Sequence, residues 1–165
     1  MKTLILVRHA KSSWDTPDTN DIDRPLNERG KKDAPEMAKR LKDRKIDIDL
    51  FVSSPAKRAR KTAKYFAEEF DVKKEDIKIV DDLYLASQSS FLKTITALGD
   101  KKDVVALFSH NPGITEFANS LTNTRIDDMP TCSVFALKVD TKSWADFESA
   151  EKKFLFFDHP KKEAH

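Results

Sequence analysis

Short apolar runs alternate with longer amphipathic stretches along this chain. Thr3–Val7 reads Thr-Leu-Ile-Leu-Val, a buried-strand pattern. Leu50–Val52 and Val104–Phe108 repeat it, and Ile77–Val80 is a weaker version. Ser133–Val139 and Phe154–Phe157 are late strands. The stripe Ala34, Met37, Ala38 and Leu41 predicts a helix over 28–43, with Asn27 as its cap and Glu28 in the first turn. Pro35 inside that stripe predicts a kink or a delayed start. A second helix, capped by Ser54 and opened by Pro55, buries Ala59, Ala63, Phe66, Ala67 and Phe70. A third, around Phe91–Leu98, ends at Gly99 as a C-cap, and a fourth lies near Gly113–Leu121. The polar stretch Lys11–Arg24 reads as a loop, and Lys161–His165 as a frayed tail after a single domain spanning 1–160.

Strands that alternate with helices predict an α/β fold, a three-layer α/β/α sandwich around a mostly parallel sheet. The two late strands have no long helix between them, which predicts at least one antiparallel pairing.

Composition narrows the function classes. Of 165 residues, 39% are hydrophobic and 35% charged, which describes a globular chain with a well-charged surface. Thirty basic against 28 acidic residues leave a net charge of +2, too balanced to argue for nucleic acid or an anionic membrane. The one dense basic run, Lys57–Lys64, lacks the interleaved aromatics of a nucleic-acid surface, so Lys57, Arg60, Lys61 and Lys64 read as a solvated stripe. No run approaches the ~20 apolar residues of a membrane span. The single Cys132 excludes an intrachain disulfide and a cysteine-rich metal site; a cytoplasmic monomer is the expectation. The only glycines are Gly30, Gly99 and Gly113, so a glycine-rich phosphate loop is absent and side chains would have to bind any phosphate.

The candidate chemistry sits at the carboxyl ends of strands, the rim where open α/β sheets bind ligands. The first strand runs into Arg8-His9-Ala10, and Val104–Phe108 runs into Ser109-His110-Asn111-Pro112-Gly113. Leu50–Val52 runs into Ser53-Ser54-Pro55-Ala56-Lys57-Arg58. Two imidazoles and two guanidiniums on one rim suit a phosphoryl group. Cationic neighbours would keep His9 unprotonated, as a nucleophile must be. A cation in the first turn of a helix, as at Arg58, opposes the helix dipole unless an anion binds there. Gly113 allows a close backbone approach, and the helix after it offers N–H groups to an anion. No metal is expected, because no HxxxH or HxH spacing occurs and the arginines would repel a cation. His159 and His165 read as surface residues, Cys132 as buried structure, and Ser53 and Ser109 as strand-end residues.

Four separated motifs carry a resemblance. Leu6-Val7-Arg8-His9-Ala10, Arg24-Pro25-Leu26-Asn27-Glu28-Arg29-Gly30, Ser53-Ser54-Pro55-Ala56-Lys57-Arg58-Ala59 and Ser109-His110-Asn111-Pro112-Gly113 resemble the histidine phosphatase superfamily from Thr3 to about Thr122. Ala10 in place of the usual glycine, and the short chain, resemble the small SixA-type phosphohistidine phosphatases. The resemblance implies a phosphoglycerate mutase-like fold, no cofactor, and a phosphorylated histidine-containing protein as substrate. It implies His9 as nucleophile, Arg8 and Arg58 as phosphoryl clamps, and His110 as a donor to the same oxygens. Asn111 joins these as a substrate-binding candidate. Many members carry a carboxylic general acid after the third strand; here Asp81-Asp82-Leu83-Tyr84-Leu85-Ala86-Ser87 puts an apolar or aromatic residue at that position. Its loss favours a phosphohistidine substrate over a sugar phosphate. A small-molecule phosphomonoesterase and a non-catalytic phosphate-binding module remain the alternatives, and Asp82 in the phosphate pocket would favour the former.

Overall fold

The computed structural model describes residues 1–15 and 19–161. Six strands form one sheet in the order β3-β2-β4-β1-β5-β6. They are β1 (Lys2–Arg8), β2 (Leu50–Ser53), β3 (Lys78–Ile79), β4 (Val104–Ser109), β5 (Val134–Val139) and β6 (Lys152–Asp158). The β3-β2-β4-β1 half is parallel, whereas β5 runs antiparallel to both β1 and β6. The predicted antiparallel pairing is thus present twice, and the sheet is mixed but mostly parallel.

Alternation along the strands builds the layers. Leu4 and Leu6 of β1, Val105 and Leu107 of β4, and Phe135 and Leu137 of β5 face one core with Phe91, Ile95, Ile114, Phe117, Trp144 and Phe147. Ile5, Val7, Ala106, Phe108, Val134 and Ala136 face the other, with Ala34, Met37, Ala38, Leu41, Ala63, Phe66 and Ala67. Helices α1 (Glu28–Asp43) and α2 (Lys57–Glu69) therefore cover one face, and α3 (Gln88–Thr96) and α4 (Gly113–Leu121) the other. This is the three-layer sandwich. No helix among the described residues is long and apolar enough to cross a membrane.

Helix α1 starts where the pattern places it. The Asn27 side chain accepts from the Gly30 amide at 2.8 Å, and the helix runs through Pro35 to Asp43, so Pro35 does not delay its start. Two local predictions need correction. Helix α2 begins at Lys57 with Ala56 as its N-cap, not at Pro55 behind Ser54. The Ser54 hydroxyl does accept the Ala56 amide at 3.2 Å, but its closer contact is the His110 ring. Helix α3 ends with Ala97 as C-cap, and no glycine has a positive φ, so Gly99 is not the left-handed cap expected of it. The weak third strand shrinks to two residues between the 3-10 turn Lys74–Asp76, which Ile77 caps, and the 3-10 turn Asp81–Leu83, which Val80 caps. The Lys11–Arg24 loop carries an isolated bridge from Ser12 to Leu26 and a 3-10 turn at Asp21–Asp23. Of the tail, Lys162–His165 lie outside the described residues.

Candidate active site

Strand register brings the two histidines together. In the parallel pairing of β1 with β4, Arg8 lies opposite Ser109, so the next residue on each strand is a histidine. The His9 and His110 rings have centroids 5.1 Å apart. In the pairing of β2 with β4, Ser53 lies opposite Phe108, which sets Ser54 beside the same pair. Arg58 reaches them from the first turn of α2. The four residues singled out in the sequence, Arg8, His9, Arg58 and His110, line one cleft of about 330 Å³.

His9 is 6% exposed. Its Nδ1 is 2.7 Å from the Ala10 carbonyl oxygen, which can only accept. Nδ1 therefore carries the proton, and Nε2 keeps its lone pair. Burial, followed by His110, Arg58 and Arg8, lowers the pKa of His9 to about 3. The arginines act in the direction the sequence argument gave, but desolvation is the larger cause. His110, 4% exposed, is also lowered to about 3, first by burial and then by Arg58. Both imidazoles are neutral at pH 7.

Among the described residues, four buried side-chain polar atoms lack a hydrogen-bond partner. Three of them, Arg8 Nε, Arg58 Nε and His110 Nδ1, belong to residues of this cleft. Buried orphan groups are rare and costly, and three of the four fall on residues that line this one cleft. Arg8 is anchored by donating from Nη1 to the Met129 carbonyl oxygen at 2.8 Å.

Sequence reasoning missed four participants. Ser54 Oγ lies 2.7 Å from His110 Nε2. Asp21 accepts from Arg58 twice, at 2.7 Å through its carbonyl oxygen and 3.1 Å through Oδ2, while Arg24 Nε donates to Oδ1 at 3.1 Å. The Tyr84 hydroxyl donates to the same Oδ2, and its ring stands edge-on to His110. The Tyr84 bond, with Arg58 and Arg24, lowers the Asp21 carboxyl to about 2, so Asp21 is ionised and holds no proton to give. Arg24 itself lines the cleft. Asp21 and Arg24 sit in an aperiodic loop, and only the arginine's place in the second resembling motif could have marked it.

Other candidates have protein partners. Asn111 lines the cleft, yet its amide donates to Asp128 at 2.8 Å and Met129 at 3.1 Å and accepts from Thr115 at 2.6 Å. The Ser109 hydroxyl donates to the Leu83 carbonyl oxygen at 2.6 Å. Asp82 does not line the cleft; it pairs with Lys93 at 3.4 Å. Gly113 permits a close approach, but of protein backbone: a Cβ there would sit 2.0 Å from the Ala86 carbonyl oxygen. Cys132 is fully buried, with its thiol pushed up by burial, so it is no nucleophile. No cluster with metal-binding composition occurs among the described residues.

A family model for the Histidine phosphatase superfamily (branch 1) matches residues 4–84, the span that carries Arg8, His9 and Arg58. The chain belongs to the histidine phosphatase superfamily. Among superfamily relatives and neighbours, an uncharacterized chloroplastic protein of Arabidopsis thaliana is 30% identical over 153 residues, covering 88% of this chain and 70% of that one. Phosphoserine phosphatase 1 of Hydrogenobacter thermophilus is 42% identical over 80 residues, 46% of this chain and 37% of its own. A solved structure from Agrobacterium tumefaciens, provisionally named phosphohistidine phosphatase SixA, superposes with a TM-score of 0.81 at 27% identity. It covers 96% of this chain and 98% of its own, so the likeness extends over the whole fold, including the antiparallel strands.

Proposed function

We propose that this chain is a phosphohistidine phosphatase, which removes the phosphoryl group from a histidine of a phosphorylated protein through a phosphohistidine intermediate on His9. The observation that carries this reading is that three orphan groups, Arg8 Nε, Arg58 Nε and His110 Nδ1, belong to residues that line one cleft with His9, whose Nε2 is unprotonated.

Each step follows from those atoms. His9 Nε2 attacks phosphorus as the bond to the substrate imidazole nitrogen breaks. When the second nitrogen of that imidazole carries a proton, the leaving group departs neutral and needs no acid. An alkoxide would need one, and the carboxylates near the cleft are poor sources: Asp21 is ionised, and Asp82 points to Lys93. Water then attacks the phosphoryl group on His9. The His9 imidazole leaves Nε2 neutral because Nδ1–H stays on the Ala10 carbonyl oxygen, and inorganic phosphate is released. Arg8 and Arg58 neutralise the phosphoryl oxygens, and His110, with its proton on Nδ1 and a hydrogen bond from the Ser54 hydroxyl accepted at Nε2, donates from Nδ1. The arginines supply the positive charge, so no metal enters the scheme. Asn111 holds the 128–129 segment from the cleft wall, where it stays a substrate-binding candidate.

The test is phosphate release from a histidine-phosphorylated protein and from p-nitrophenyl phosphate, by wild type and His9→Ala. Fast release from the protein, slow release from the ester and loss of both in His9→Ala support the reading. Preference for the ester supports a phosphomonoesterase, the reading favoured by the local identity to phosphoserine phosphatase 1. Phosphate binding without turnover supports the non-catalytic module.

A further inference from the structure

Four large hydrophobic side chains are conspicuously exposed among the described residues, and two of them, Trp14 at 77% and Leu85 at 74%, line the cleft of His9. They come from different loops. Trp14 follows β1, and Leu85 follows the 3-10 turn Asp81–Leu83. Neither belongs to either hydrophobic core.

Leu85 is disfavoured twice. Its side chain lies in solvent, and its φ of 52° puts a γ-branched residue in the left-handed region that favours glycine. The flanking backbone holds that pose. The Leu83 carbonyl oxygen is gripped by Ser109, the Tyr84 hydroxyl by Asp21, and the Ala86 carbonyl packs onto Gly113. Strain retained by surrounding structure is characteristic of functional segments. Trp14 is held differently. Its ring lies 3.5 Å from the Arg24 guanidinium, which is fixed in turn by Ser12 and Asp21. One face of the indole is thereby supported and the rest is open.

We infer that Trp14 and Leu85 are the docking lips for the protein surface that surrounds the phosphorylated histidine, and that this surface is apolar with acidic neighbours. The inference rests on the phosphohistidine phosphatase reading and adds the partner's chemistry. The acidic character follows from charge: beyond Arg8 and Arg58, which take the phosphoryl group, the cleft lining adds Lys11 and Arg24 and no carboxylate, and Asp21, paired with Arg24 and Arg58, offsets part of that charge. The apolar character follows from the two lips. The phosphoryl group is assigned to Arg8, His9, Arg58 and His110, which leaves the exposed Trp14 and Leu85 for the surface that presents it.

The experiment compares two substrates with the same phosphorus–nitrogen bond. One is an acidic protein phosphorylated on a surface histidine with phosphoramidate; the other is free phosphohistidine. For the protein, Trp14→Ala and Leu85→Ala are expected to lower kcat/KM about 10- to 100-fold, mainly through KM. For the free amino acid the loss is at least about 5-fold smaller than for the protein, because only the support that Trp14 gives Arg24 is removed and no docking contact is lost. Leu85→Gly is the control for folding. It relieves the backbone, so its denaturation midpoint equals or exceeds wild type while the protein substrate is still lost. Unchanged kinetics on the protein, or equal losses on both substrates, overturns the docking role. A wild type that hydrolyses neither phosphohistidine form instead overturns the phosphatase reading itself.

Discussion

Ser54 Oγ lies 2.7 Å from Nε2 of His110, the imidazole whose other nitrogen is buried without a partner. When the serine donates to Nε2, the His110 proton sits on Nδ1. Ser54→Ala removes that donor and leaves a second buried nitrogen unsatisfied, a loss of about 1–3 kcal/mol. Expressed as rate, kcat falls roughly 5- to 160-fold with little change in KM. Steady-state kinetics on a phosphohistidine substrate check this; an unchanged kcat would remove Ser54 from the mechanism.

Asp21 grips Arg58 by two oxygens and is itself gripped by Tyr84 and Arg24. A guanidinium held this way is already oriented for a phosphoryl oxygen. Asp21→Asn weakens the grip, and misplacement of such a group costs up to about 100-fold in kcat/KM. Tyr84→Phe removes only the hydroxyl and produces a smaller loss. Kinetics of both variants order the effects, and a larger loss in Tyr84→Phe would contradict this arrangement.

Both histidines titrate far below the ordinary histidine value, at about 3. Nitrogen-15 NMR should find both rings neutral at pH 5, with His9 protonated on Nδ1. The consequence for stability has a definite sign. Between pH 6.5 and about 3 the unfolded chain binds protons at these histidines and the folded chain does not. Stability present at neutral pH is therefore lost as pH falls through that window. The denaturation midpoint should drop more between pH 7 and 5 in wild type than in the His9→Gln, His110→Gln double variant. A charged imidazole at pH 5 would contradict the account.

The three glycines differ in consequence. A Cβ on Gly30 would lie 2.2 Å from the Lys11 carbonyl oxygen and one on Gly113 2.0 Å from that of Ala86, whereas nothing lies within 4 Å at Gly99. Alanine at 30 or 113 displaces backbone beside the cleft and destabilises by about 1–3 kcal/mol. Gly99→Ala, at a negative φ, is neutral or stabilises by up to about 1 kcal/mol. Urea denaturation of the three variants checks the order.

The fold and Arg8, His9, Arg58 and His110 were legible because each rests on a local pattern, a strand end or, for Arg58, the first turn of a helix. Apolar runs ending in Arg8-His9 and Ser109-His110 predict strands with histidines at their ends, and parallel pairing makes them neighbours. Residues whose role depends on contacts across the sheet were not legible. Ser54 looks like a helix cap from its sequence neighbours, and only the β2–β4 register turns it toward His110. Asp21 and Tyr84 are separated by 63 residues and meet only in the folded chain. Gly99 follows an apolar stripe, the usual setting of a cap, but the helix had already ended at Ala97 in right-handed geometry. The left-handed φ of Leu85 has no signal at all in residue type.

The central claim is that His9 Nε2 carries the phosphoryl group between substrate and water. Rapid-quench mixing of enzyme with a histidine-phosphorylated protein, followed by mass spectrometry of the enzyme at neutral pH, reads this directly. The account predicts a transient phosphorylation on His9, approaching one group per chain, stable to alkali and labile to acid, and absent with loss of turnover in His9→Asn. Sustained hydrolysis by His9→Asn, or phosphorylation at another residue, would contradict it.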